Sequence, residues 1–429
     1  MQKKIKVIIS AILTTTICLS LVALNNNKSA KAVTNPKVTV GIDNIDSYKE
    51  LFKDKKVGLI TNPSGMNSNF ENTIDVLNSK TNLTTLFAAE HGIRGNNQAG
   101  GTVGNEIDVK TGLPVYSLYG KTKKPTADML KDVDVLVYDM QDVGARFYTF
   151  INTMAYAMQA CAENNKTFVI LDRPNPIGGN VEGTILNDKA TDTSGKQKFV
   201  SFVGMYPIPQ RYGMTIGEYA KYLNKTQKIK CDLEVVPMIG WTRDMYYDDT
   251  GLKTWVMPSP NMPTLDTAIV YAGTCVFEGT NVSEGRGTTR PFELIGAPWI
   301  NSIDLADKLN SLNIPGAKFR AASFAPTFSK YSATDTTYNT TGKGQSCGGV
   351  QVYAVDRSKY NSIKTGLAML YTIRDMYPND FKYRSDNYLD LLTGDSYVRE
   401  GTYTLQQLFD RVDKESKKFK KQTQKYYIY

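Results

Sequence analysis

Near-continuous apolar runs recur through the first half of this chain, and each stops at a polar or ionisable cluster. Val57-Gly58-Leu59-Ile60 stops at Thr61-Asn62-Pro63-Ser64-Gly65, and residues 83–89 stop at Glu90-His91-Gly92. Residues 133–138 stop at a stretch holding Asp139, Asp142 and Arg146, and residues 167–171 at Asp172-Arg173-Pro174-Asn175-Pro176. Between the runs, residues 71–77 and 150–163 carry apolar positions at helical spacing. Strand, helix, strand with runs apolar on both faces predicts an α/β fold, a Rossmann-like, doubly wound, mostly parallel sheet. Ligands of such sheets lie beyond the carboxyl ends of the strands. Glu90, His91, Asp139, Asp142, Arg146, Asp172 and Arg173 are therefore predicted to share one rim, whereas unselected turn chemistry would scatter acids and arginines over both ends.

The rim does not read as a nucleotide site, because no GxGxxG opens a helix after the first strand and no GxxxxGK[ST] occurs. Residues 178–211 turn irregular and predict a long loop over the same rim. Residues 216–223 follow as a helix, with Thr215 and Glu218 in capping-box register, and then a strand at 233–236. The proline-rich stretch 257–263 marks a boundary, giving a Rossmann-like domain over 33–257 and a smaller α+β domain over 258–429 that closes a cleft. The second dense polar block is EGTNVSEGRGTTRP, residues 278–291, whose glycines beside Glu284 and Arg286 would let the backbone approach a ligand. A surface hairpin loop with a salt bridge is the plainer reading of that block. Helices at 303–312 and 363–376 and strands at 319–324 and 349–355 complete the pattern.

A lysine-rich start, an apolar stretch and Ala30-Lys31-Ala32 make residues 1–32 a secretory signal peptide, too short and too diluted by threonine for a retained span. A secreted protein follows, extracellular or associated with the cell wall, with no stable membrane anchor. The five lysines of the leader come with no acids, so its loss lowers the net charge from +9 to +4. That mild balance, without a basic face interleaved with aromatics, gives no nucleic-acid partner. The basic end at 411–425 reads as a solvated helix face, with attraction to an anionic wall the lesser option. Cys161, Cys231, Cys275 and Cys347 are far apart and form no CxxC pair, which points to core thiols rather than zinc, with a disulfide still open.

Several carboxylates, several arginines, a single histidine and no metal-type cluster point to hydrolysis by general acid and base, with no cofactor. Glycoside cleavage needs a carboxylic acid that protonates the leaving oxygen and a second group that supports the oxocarbenium-like centre. Glu90, at the end of an apolar strand, is the carboxyl best shielded from water for the first role. Asp139, Asp142, Asp172, Glu182, Glu278 and Glu284 compete for the second. Tyrosines, with Trp241, Trp255 and Trp299, could stack on sugar rings, although most fit ordinary half-buried positions.

The blocks EHGIRG at 90–95, DMQDVGARFYTF at 139–150, LDRPNP at 171–176, PSPNMPTL at 258–265 and EGTNVSEGRGTTRP at 278–291 resemble the bacterial exo-β-N-acetylmuramidases, long catalogued as a family of unknown function. The resemblance runs over nearly the whole mature chain. It implies a two-domain enzyme with its cleft between the halves, releasing N-acetylmuramic acid from non-reducing ends of peptidoglycan fragments. It also implies Glu90 as the catalytic residue. Asp142 and His91 complete the expected catalytic set. Arg94, Asp139, Arg146, Asp172, Arg173, Glu284, Arg286 and Arg290 form the expected substrate-binding set, since an arginine fork suits the lactyl carboxylate of muramic acid. The segment 331–349 departs from the family pattern in being longer and threonine-rich. Two other readings stand beside this one: a non-catalytic wall-sugar binder, and a metal-assisted esterase or phosphatase using Asp139, Asp142 and His91.

Overall fold

The computed structural model describes residues 38–94, 104–339 and 341–429. The expected leader, residues 1–32, lies outside them. Among the described residues no helix is long and apolar enough to cross a membrane.

Ten strands occur in chain order: β1 (Lys56–Thr61), β2 (Asn82–Ala88), β3 (Glu106–Ile107), β4 (Pro114–Ser117), β5 (Val135–Asp139), β6 (Thr167–Leu171), β7 (Asp232–Val236), β8 (Leu294–Ala297), β9 (Ala317–Phe324) and β10 (Cys347–Ala354). The first seven form one sheet in the order β3-β4-β2-β1-β5-β6-β7. Its pairings are parallel except for the short β3 edge. Alternate residues of one strand feed two cores. Leu136 and Tyr138 pack with Met154, Ala157, Tyr219 and Leu223, while Val135 and Val137 pack with Ile42, Ile45, Ile74 and Leu77. Burial on both faces is why these strands read as unbroken apolar runs.

The two long helices on the first face are well set by local sequence. Phe150–Glu163 matches the predicted span. Ile216–Thr226 starts in the predicted capping box, with Glu218 N donating to Thr215 Oγ1 at 3.3 Å and Thr215 N to Glu218 Oε2 at 3.0 Å. The remaining strands form a three-stranded antiparallel sheet, β8-β10-β9, backed by helices Leu265–Thr274, Ser302–Ser311 and Ser362–Met376. One apolar core extends from the first face of the large sheet into this smaller one. Ahead of β1 the chain makes a single bridge, Thr39 to Ile239, before a 3-10 helix at Gly41–Leu51. All four described cysteines are buried free thiols.

Candidate active site

A cleft of about 300 Å³ opens beyond the carboxyl end of β2, walled by Glu90, His91, Tyr119, Thr149, Glu278 and Arg286 among others. Glu90 follows β2 after one residue, Ala89, and is half-buried. The chain then turns sharply: Gly92 N bonds back to Ala89 O at 3.1 Å, and His91 and Gly92 both adopt φ of 76°. A left-handed histidine is uncommon, and such backbone tends to collect at functional sites.

Thr149 supplies the second feature. It is the N-cap of helix Phe150–Glu163, yet its side chain makes no cap hydrogen bond. Its hydroxyl instead donates to Glu90 Oε2 at 2.7 Å. Tyr119 also stands against Glu90; burial, and then the neighbouring Glu90 charge, push its phenol well above the usual range.

The far wall comes from the second half of the chain. Helix Leu265–Thr274 brings Tyr271, and the 3-10 turn Cys275–Gly279 presents Glu278. Arg286 reaches Glu278 at 2.6 Å and Glu284 at 3.5 Å, and lies 5.2 Å from the Phe292 ring centre. Glu284 is buried behind it, held by Lys330 Nζ at 2.9 Å. Burial pulls the Glu284 carboxyl upward, but the Lys330 and Arg286 charges outweigh it and hold the group below its ordinary range. Gly285 and Gly287, at φ 75° and 80°, do not approach a ligand space as expected. A Cβ on them would strike backbone oxygens of Leu294 and Phe328, so these glycines let the loop pack on its own domain. Tyr388 and Leu392 of helix Tyr388–Thr393, with Phe202 and Val203 of the long irregular segment, complete the rim.

Of the residues singled out from sequence, Glu90, His91, Glu278 and Arg286 line this cleft, with Glu284 just behind it. The others are engaged elsewhere. Asp139 takes both Nε and Nη2 of Arg173, at 2.5 and 2.8 Å, and the Thr73 hydroxyl as well. Asp172 accepts from Thr215 Oγ1, Gly217 N and Tyr429 Oη at 2.8 to 2.9 Å. Arg146 is fully buried and donates to three carbonyls, of Thr184, Ile208 and Leu392. Burial pulls its pKa down to about 10. Arg94 pairs with Asp108 at 2.8 Å, and Arg290 is exposed, 3.5 Å from Glu293. Asp142 is buried off the cleft, bonded to the Tyr212 hydroxyl and, at 2.6 Å, to Gly144 N. Burial pushes it up to about 6. With Asp139 and Asp142 so engaged, no group of three His, Cys, Asp or Glu suited to a metal forms among the described residues. The three tryptophans are likewise outside the cleft, edge-on or tilted against Tyr429, Tyr247 and Tyr377.

Family models described as exo-β-N-acetylmuramidase NamZ, N-terminal and C-terminal, match residues 57–266 and 269–429. The chain belongs to the exo-β-N-acetylmuramidase family. Its relative in Bacillus subtilis (strain 168), the peptidoglycan β-N-acetylmuramidase NamZ, is 50% identical over 412 residues, covering 94% of both chains. A solved DUF1343 family protein of Bacteroides fragilis NCTC 9343 is 38% identical with a TM-score of 0.81, covering 92% of this chain and 99% of that one. A second from the same strain is 32% identical with a TM-score of 0.68 and the same coverage. Membership of the exo-β-N-acetylmuramidase family makes the chain a glycosidase, on a large mostly parallel sheet joined to a smaller antiparallel one.

Several residues in or behind the cleft wall of this muramidase fold were not singled out from sequence. Thr149 stood only inside the 139–150 block, Asn261 sat in the proline-rich stretch taken for a boundary, and Lys330, which holds Glu284 behind the lining, carried no motif at all. Glu278 was visible only as one of six carboxylates competing for one role.

Proposed function

We propose that this protein is a secreted exo-β-N-acetylmuramidase that frees N-acetylmuramic acid from the non-reducing ends of peptidoglycan fragments, with Glu90 as general acid. The observation that carries the reading is Glu90 itself, half-buried in the cleft wall with its Oε2 fixed by Thr149. A fixed carboxyl beside aromatic walls can hand a proton to the glycosidic oxygen as the bond breaks. Glu278, across the second half of the chain, takes the supporting role that the sequence left open among several acids. It lines the cleft, while Asp142 stands behind it and acts only through the wall. His91 shapes the turn that aims Glu90. Arg286 lines the cleft and offers its guanidinium for the lactyl carboxylate. We assign residues 33–257 and 258–429 as the two parts that flank the cleft, and residues 1–32 as a leader removed on export, which brings the enzyme to its substrate outside the membrane.

The test is to incubate the purified mature chain with a muramic-acid-terminated disaccharide and a chromogenic β-N-acetylmuramide. Native protein should release N-acetylmuramic acid, and Glu90→Gln should lower kcat by about 10²- to 10⁴-fold with an unchanged melting temperature. Retention of activity by that variant rejects Glu90 as the acid. Insensitivity to a chelator separates this chemistry from the metal-assisted alternative.

A further inference from the structure

Buried polar atoms normally find partners, so those that do not, and that border a cavity, mark where a ligand's polar groups belong. Asn261 and Tyr148 both line the cleft and are more than nine-tenths buried, yet Asn261 Nδ2 and Tyr148 Oη have no hydrogen-bond partner. Ser259, two residues before Asn261, approaches the Tyr148 hydroxyl without reaching hydrogen-bond geometry. Their surroundings are apolar. Tyr148 meets Tyr271 edge-on at 6.0 Å, Phe147 meets Tyr271 at 5.3 Å, and Met262 follows Asn261 along the lining.

We propose that Asn261 and Tyr148 form the subsite for the acetamido group of the sugar and set the enzyme's preference for N-acetylated substrate. This deepens, and rests on, the muramidase reading. An acetamido group presents a carbonyl acceptor and a methyl side by side. The side-chain amide and the phenol supply neutral donors for the carbonyl, and the Phe147, Tyr271 and Met262 surfaces accept the methyl. A sugar hydroxyl would leave that apolar surface bare. A carboxylate is better served by Arg286, the cation of the same cleft.

The experiment compares two chromogenic glycosides that share the lactyl ether and differ at C2, one with the acetamido group and one with a hydroxyl. Native protein should prefer the first. Asn261→Leu should lower kcat/KM on the acetamido compound by about tenfold, the worth of one hydrogen bond, and leave the hydroxyl compound nearly unchanged, so the preference collapses. Tyr148→Phe, which keeps the ring, should narrow the preference in the same direction. Variants that keep the native ratio, or lose both activities in parallel, overturn the subsite. If native protein cleaves neither glycoside, the activity reading fails. Calorimetric binding of N-acetylmuramic acid against its 2-hydroxy counterpart, by native protein and both variants, then decides the subsite by the same ratio.

Discussion

Two clusters of ionisable side chains end parallel strands of one sheet and have opposite characters. After β2, Glu90 faces a cleft shared with Glu278 and Arg286. After β5 and β6, Asp139 and Arg173 close a buried bidentate pair, and Asp172 is saturated by three donors in addition to its own neighbour's amide. In sequence the two look alike, since acid and base follow an apolar run in each. The difference lies in where the groups stand: the β5–β6 cluster is buried and spends its hydrogen bonds within the fold, and the β2 cluster lines the cleft. A charge at the mouth of a parallel sheet therefore identifies a candidate, and whether it lines an open cleft decides between scaffold and site.

The sharpest way to break this comparison is to remove one acid from each cluster. Glu278→Gln should reduce kcat by about 10²-fold or more while leaving the melting temperature near native. Asp139→Ala should do the reverse, costing about 3–5 kcal/mol of unfolding free energy because Arg173 would be left buried and unpaired, with near-native kcat in the protein that remains folded. Denaturant titration and initial rates on the same samples check both. An Asp139→Ala protein that is stable and inactive would place that pair in the site after all.

Asp142 gives a smaller and more specific effect. Burial raises its carboxyl from the usual 3.8 to about 6 in the folded chain. Between those values the folded state binds more protons than the unfolded one, so this group makes stability fall as pH rises from about 4 to 6, and contributes a constant penalty above that. Asp142→Asn should flatten that limb. The stability of the variant relative to native should rise across pH 4 to 6 and level off beyond, as followed by melting temperature. An unchanged difference across this window would show that Asp142 is not protonated there. Smallest is Tyr429→Phe, which deletes the phenol bonded to Asp172 and to Met238 N at 2.8 Å each. It should cost about 1 kcal/mol and leave rates untouched.

The large sheet was legible because its strands are buried on both faces. Leu136 and Val137 must both be apolar when each faces a different core, and that leaves an unbroken run in the sequence. Helix starts were legible where the cap is local, as at Thr215 and Glu218. The ends of the parallel strands were correctly placed at one edge, and Glu90 with them. What could not be read was orientation beyond that edge. Arg146 is a single residue in a polar block, and only three carbonyls brought from distant segments, Thr184, Ile208 and Leu392, commit it to the interior. Strands β3, β4 and β8 were missed because they are short, and β3 is exposed on both residues. Glu278 could not be ranked because its relevance comes from Arg286, eight positions on, across a turn whose shape is set by the tertiary fold.

That turn has one more consequence. Gly285 and Gly287 seat the segment against the main chain at Leu294 and Phe328, so the guanidinium between them is immobilised before any sugar arrives. Its ordering cost falls on folding rather than on recognition. If Arg286 holds the substrate's carboxylate as proposed, capture there needs no moving flap, and association at that wall should proceed as docking onto a rigid mould.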